Sequence, residues 1–422
     1  MSKKTNSAVA EVVSEKTGEL IQLEDYLSPA VKVITEQFKG QDDSYIFLSE
    51  VGLCAAGTLM LEMDGCVAIV FEGDASTNKS TVLRFFDTVD FVVKTDEFTP
   101  ASFVSAANNK SEEQLKNIDL LPKIKNKVLI VSDLAPLLAK KANESDALLG
   151  ILTRVLDGHG LIRNAGTVGG RGYEGDFRFI FLCATTPITK RTHETLSRLG
   201  NRLLLVESAD SEMTTDDVMK QLSGVLEKKV AICQEAVKNA LEGAYKEIGY
   251  GGIALDTTLE DEEMMKAIVD LCQVIRLGRA FTDDDIDRKE GMFRTATRLI
   301  GLAKCRALLQ GRARINRQDV QMVARIAVES LPYNRRKLVK YLTRSAARYA
   351  YTSHVMDIYD CSKDTALARM RDLAATGLVY MEQSLEGEMA VGFSKEFSWI
   401  NNSKYRWIFT RIPRLPDYTK EH

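Results

Sequence analysis

The chain lacks most of the chemistry that would make its class obvious. It has four histidines and seven cysteines (Cys54, Cys66, Cys183, Cys233, Cys272, Cys305 and Cys361), with no C-x-x-C pair. Scattered thiols and few imidazoles exclude a disulfide framework and a structural zinc site, and isolated cysteines in apolar runs suit a reducing cytosol. No run approaches the ~18–20 apolar residues of a membrane span. The opening MSKKTNSAVAEVVSEK has no apolar core of the kind a signal peptide carries. The expected location is therefore cytoplasmic, with no membrane contact. Repeats and low-complexity tracts are absent as well. Net charge is nearly absent too: 56 Lys and Arg against 59 Asp and Glu leave −3.

What is present is an ordinary globular composition, 45% apolar and 27% charged, over 422 residues. That supports two or three domains with a large core. The near-neutral total hides an asymmetry. Residues 207–290 carry 10 basic and 20 acidic side chains, a balance of −10, whereas 291–380 carry 17 basic and 6 acidic, a balance of +11. The second segment is suited to phosphate backbones while the rest of the surface stays soluble.

Short β-rich runs, CVAIVF (66–71), FVV (91–93), KVLIV (127–131) and FRFIFLCA (177–184), alternate with helical segments such as 145–156. Buried strands alternating with helices predict a parallel α/β sheet. After Val206 the pattern turns helical over 213–247, 261–279 and 291–330, with acidic loops expected at 256–263 and 281–287. The tail changes rhythm again. RRKLVKYLTRSAARYA, SHVMDIYD and SKDTALARMRDLAATG read as three helices, the last capped by Ser362 and stopped by Gly377, and LVYMEQ and MAVGFS read as two strands. Three helices and a hairpin form the winged-helix pattern. The expected division is an N-terminal extension 1–44, an α/β nucleotide-binding core 45–208, an all-α lid 209–332 and a winged-helix domain 333–422.

The most informative stretch is VAIVFEGDASTNKSTVLRFF. An apolar strand enters Gly73-Asp74-Ala75-Ser76-Thr77-Asn78-Lys79-Ser80 and a helix follows at once. This is G-x-x-x-x-G-K-S with Asn78 in the second glycine place. Backbone N–H groups of such a loop cradle phosphate, Lys79 would neutralise the β/γ-phosphates of ATP, and the Ser80 hydroxyl would ligate Mg²⁺. The second glycine position favours left-handed backbone angles, which asparagine tolerates best among the other residues. On the next buried strands, Asp133 is placed to hold Mg²⁺ or orient water, and Thr185, followed by Thr186, to touch the water or γ-phosphate. Plain strand-end and turn roles are the alternatives for these residues. One of the two acidic places usual in such sites is unfilled.

A Walker-like loop, strand-end acid, strand-end threonine, then TLSRLGNRLLLV and an all-α region together resemble the AAA+ ATPases. The closest likeness is to the branch containing the minichromosome-maintenance (MCM) helicases, whose L-S-R-F-D segment LSRLGNRLLLV resembles. The resemblance covers residues 45–330. It implies that Arg198 is a finger reaching the γ-phosphate held by a neighbouring subunit, with Arg202 competing because Leu199-Gly200 departs from Phe-Asp. It also implies that Arg294 acts as a sensor arginine, with Arg298 one turn along as the alternative. The expected assembly is a homo-oligomeric ring, a hexamer, hydrolysing ATP at its interfaces. GHGLIRNAGTVGGRGYEGDFRF, with Arg163, Arg171 and Arg178, suits a β-hairpin like the family's DNA-gripping pore hairpin, or a glycine-rich turn. Lys363, Thr365, Arg369 and Arg371 on the third tail helix suit nucleic-acid contacts, DNA with RNA left open, although winged helices also dock proteins. The functional expectation is an ATP-driven motor on DNA, such as a helicase or replication loader of a mobile element. The alternative is a nucleotide-gated DNA-binding initiator or regulator with slow or no hydrolysis.

Overall fold

The structure is a computed structural model that describes residues 11–14, 18, 20–39, 43–75, 77–105, 111–165, 169–208, 224–283, 286–288, 291–344, 348–385 and 387–413. The chain divides into two compact units. The first comprises Met1–Thr186, Glu207–Asp261 and Thr297–Asn316, and the second Pro187–Val206, Glu262–Ala296 and Arg317–His422.

The chain forms a five-stranded parallel sheet. Four strands lie in the first unit, β1 (Val67–Glu72), β2 (Val92–Thr95), β3 (Val128–Val131) and β4 (Ile180–Thr185); β5 (Leu203–Glu207) belongs to the second unit as far as Val206, and the strand order is β5-β1-β4-β3-β2. Every residue of β1, β3 and β4 is buried, the consequence of a parallel sheet covered on both faces. Register fixes the geometry of the site. Glu72 lies opposite Thr185, and Val131 opposite Cys183, so the carboxyl ends of β1, β4 and β3 stand side by side.

The helix Ser44–Gly57 is apolar around most of its circumference and buried from Ser44 to Gly57 apart from Ile46, as expected for a helix enclosed in a core. Leu27–Gln37 packs on it and on the long helix Val225–Ile248. Between β3 and β4 the chain forms the expected hairpin, Gly160–Ala165 against Gly169–Glu174, with Arg163 paired to Arg171.

In the second unit, Glu262–Gly278 packs on Arg317–Glu329. The segment 281–287, expected as an acidic loop, is instead a hairpin of Phe281–Asp283 with Ile286–Arg288. Phe281 and Ile286 favour a ladder that the acidic run between them obscures in the sequence. The tail contains helices Tyr333–Arg344, Thr352–Tyr359 and Lys363–Ala374, and an antiparallel sheet in the order Tyr349–Tyr351, Met389–Phe393, Val379–Gln383. Ser362 Oγ accepts from the Thr365 amide at 3.4 Å, and Gly377 adopts φ +81° where the last helix stops. The expected first helix over 335–350 is shorter because Tyr-Ala-Tyr, a β-favouring triplet, joins the sheet. No described helix is long and apolar enough to cross a membrane.

Candidate functional site

The loop after β1 is built from positions that admit few alternatives. A Cβ on Gly73 would lie 2.8 Å from the Ser208 carbonyl oxygen and 2.9 Å from Thr77 Oγ1, so the close approach requires glycine. Asn78 is left-handed at φ 49°, ψ −11°, the conformation inferred for the second glycine place. The Tyr45 hydroxyl, 2.5 Å from Asn78 Oδ1, holds its side chain, and the Tyr45 ring stacks on Phe38 at 4.0 Å. A tethered asparagine thus does the work of a glycine.

Lys79 opens the helix Lys79–Arg84 and is buried. Its ammonium donates to the Gly73 carbonyl (2.8 Å), the Asp74 carbonyl (2.5 Å) and Thr77 Oγ1 (2.8 Å). Thr77 Oγ1 in turn donates to the Asp74 carbonyl. The lysine therefore sits inside the loop on oxygens that a phosphate could replace one for one. Asp74, Ala75 and Ser80 face solvent, and Ser76 lies outside the described residues.

The neighbouring strand ends are tied to this loop. The Gly73 amide donates to the Thr185 carbonyl at 3.2 Å, and the Leu134 amide donates to the Ala184 carbonyl at 2.7 Å. These two bonds gather Gly73, Thr185 and Asp133 along one edge, the side of an open parallel sheet where ligands bind. Asp133 is exposed, and its Oδ1 accepts from the Ala135 amide at 2.9 Å. Burial pushes the nearby Cys183 thiol far up, and the Asp133 charge adds to the effect. Thr185 is 1% exposed, and its hydroxyl has no hydrogen-bond partner among the described residues. A buried hydroxyl without a partner is rare and costs of order 1–3 kcal/mol. Thr186 is exposed.

Two residues of this edge escaped sequence reasoning. Ser208 donates its amide to the Glu72 carbonyl and its hydroxyl to the Thr77 carbonyl, both at 2.8 Å, stapling the loop to the end of β5. Glu72, buried at the end of β1 opposite Thr185, puts a second carboxylate-bearing residue in the row. Nothing in a serine after LLLVE, or a glutamate ending an apolar strand, marks these roles without the register.

The arginines divide by environment. Arg298 is buried, and its Nε donates to the Cys66 carbonyl at 2.8 Å. That carbonyl is at the amino end of β1, six residues from the loop, or ~20 Å at 3.3 Å per residue. Arg178 spans the same end: Nη1 reaches the carbonyls of Leu61 (2.5 Å) and Met63 (3.0 Å), and Nη2 that of Leu59 (3.3 Å). On the hairpin, Arg163 donates to the carbonyls of Pro100 and Val104. Arg171 pairs with the fully buried Asp119 at 2.7 Å, so both side chains hold the hairpin to its own unit.

In the second unit Arg198 is exposed, with Nη2 3.1 Å from Thr195 Oγ1. Arg202 is buried and donates to the carbonyls of Leu199 and Gly200. Arg294 is exposed and comes within 3.9 Å of where a Cβ on Gly200 would lie. On the tail helix Lys363, Thr365 and Arg371 are exposed, and Arg369 lies 4.0 Å over the Tyr359 ring. Of the 17 basic residues of 291–380, seven are buried: Arg298, Lys304, Arg306, Arg325, Arg335, Arg336 and Lys340. Several meet carboxylates, Lys304 with Glu260, Arg306 with Glu50 and Arg335 with Asp372. The +11 is therefore partly internal.

Neither a known protein-family model nor a curated protein matches the chain.

Proposed function

We propose that the carboxyl edge of the sheet binds and hydrolyses ATP. The observation that carries this reading is the row Gly73–Thr185–Asp133 beside the folded-in Lys79, with the buried Thr185 hydroxyl lacking a partner. The residues fit the nucleotide: Gly73 leaves room for a close backbone approach, and Lys79 exchanges three loop oxygens for phosphate oxygens. Mg²⁺, when bound, supplies charge neutralisation at the phosphates, with Ser80 and Asp133 as the residues that would hold it. Thr185 orients the attacking water or the γ-phosphate.

The wider reading is an AAA+-like ATPase resembling the MCM branch, with a winged-helix tail, assembled as a homo-oligomeric ring and acting on DNA. Arg198 serves as the finger in trans, since its exposure suits contact with a neighbouring subunit while Arg202 is occupied by carbonyls. Arg294, not Arg298, acts as the sensor, because Arg298 is committed to the amino end of β1. Lys363, Thr365 and Arg371 are the nucleic-acid contacts.

A second reading, a nucleotide-gated DNA-binding regulator with slow turnover, is favoured by the three hydrogen bonds that hold Lys79 inside the loop. Steady-state ATP hydrolysis with and without DNA separates the two. A motor gives stimulated turnover near ~1 s⁻¹ or faster, and a regulator gives binding without it. Lys79→Ala abolishes hydrolysis in either case; turnover that survives this change removes the assignment.

A further inference from the structure

A cleft lies on the tail sheet, away from the loop, with a volume of about 840 Å³, within the ~300–1,000 Å³ usual for ligand sites. It opens at the end of the sheet away from the 384–388 turn and does not include the exposed face of helix Lys363–Ala374. Its floor is a pair of tyrosines. Tyr349 and Tyr380 share a hydroxyl–hydroxyl bond of 2.9 Å, and their rings stand at 86°. That bond is the largest cause pushing the Tyr380 hydroxyl up to about 12, which keeps this phenol neutral. The Tyr349 ring sits against Gly392, where a Cβ would meet it at 2.9 Å.

The wall is a 3₁₀ helix, Lys395–Asn401. With three residues per turn, side chains at i and i+3 eclipse at ~6 Å intervals, so Lys395, Ser398 and Asn401 form one row, and all three line the cleft. Arg348 completes the rim. Arg348 and Lys395 are exposed, and neither has a carboxylate partner among the described residues. Among the described residues, no side chain lining the cleft is acidic.

Unpaired cations around aromatic faces, with amide and hydroxyl groups between, are the elements of a single-strand site: charge follows the backbone and rings stack on unpaired bases. We propose that this cleft binds a single-stranded nucleic-acid segment, one base against the Tyr349–Tyr380 pair and phosphates on Arg348 and Lys395. A duplex hides its base faces and gains less from such a floor. The proposal does not depend on the ATP reading, and its assay contains no nucleotide.

The experiment is fluorescence anisotropy of a labelled oligothymidylate with the full chain over a salt series. Arg348→Ala with Lys395→Ala lowers affinity ~10-fold or more and reduces the salt slope by about 1.4, two phosphates at ~0.7 each. Tyr380→Ala lowers affinity ~10-fold with the slope unchanged, and Tyr380→Phe, which keeps the ring, binds within ~2-fold of the parent. Lys79→Ala binds like the parent, so loss of the ATP site does not imitate loss of this one. Four results overturn the proposal: no binding by the parent chain, unchanged affinity in the correctly folded variants, equal competition by duplex, or equal competition by a polyglutamate peptide, which would assign the cleft to an acidic protein.

Discussion

The two ends of β1 handle buried polar groups in opposite ways. At the amino end, Arg178 gives its guanidinium to three carbonyls and the Tyr250 hydroxyl, and Arg298 donates to Cys66. At the carboxyl end, the buried Thr185 hydroxyl has no hydrogen-bond partner among the described residues, and Lys79 rests on neutral carbonyl and hydroxyl oxygens. Both ends are buried, so desolvation does not distinguish them. Satisfaction does. Arg178 is fixed by acceptors of the fold, whereas the buried Thr185 hydroxyl leaves one polar group of the carboxyl end unsatisfied among the described residues.

The largest effect that would break this contrast belongs to the framework end. Arg178→Leu leaves several carbonyls without donors and is expected to cost about 3 kcal/mol, read as a lower urea midpoint. A cost below ~1 kcal/mol would mean that the saturated end is not structural.

His193 carries the same principle into the second unit. It is buried, its Nε2 has no hydrogen-bond partner among the described residues, and burial, aided by Arg279, Arg336 and Arg335, pushes its pKa down to about 3. The unfolded imidazole titrates near ~6.5. Between these values the unfolded state binds the extra proton, so stability is full above pH ~6.5 and falls toward pH 3 by up to ~1.4 kcal/mol per unit. His193→Gln should flatten the slope of unfolding free energy between pH 6 and 4 by about one proton; an unchanged slope contradicts the buried neutral ring.

A smaller effect separates backbone from side chain in the loop. Asn78→Gly keeps the left-handed conformation at the cost of the Tyr45 contact, whereas Asn78→Val forces a β-branched residue to φ near +49°. Valine should be the less stable of the two by ~1–2 kcal/mol in the same denaturation assay. Equal stabilities would mean that backbone strain does not govern this position.

The smallest stability effect tests the candidate site end. Thr185→Val removes a hydroxyl that bonds nothing described, so stability should stay within ~0.5 kcal/mol or rise, while ATP turnover falls ~10-fold or more. A large loss of stability would show the hydroxyl to be structural.

Much of the fold was legible in the sequence for a physical reason: strands buried on both faces leave continuous apolar runs, and the close approach at Gly73 and the left-handed turn at Asn78 admit few residue types. The left-handed backbone of Asn78 followed from its place in the loop alone. What stayed hidden depends on register or on distant carbonyls. Glu72 enters the row only because it lies opposite Thr185, and Ser208 only because β5 ends beside β1. The charge excess of 291–380 misled in part, since a sequence does not show that Lys304 and Arg306 face Glu260 and Glu50. The hairpin arginines were visible as charges, but their anchoring to Asp119, Pro100 and Val104 was not.

The most direct test of the central claim, that the carboxyl edge is a nucleotide site, is thermal unfolding with and without ATP and Mg²⁺. The parent chain should be stabilised by ~2.7 kcal/mol at a ligand concentration 100 times Kd, and Lys79→Ala should show no ligand-dependent shift. Equal stabilisation of both proteins, or of neither, would contradict the account.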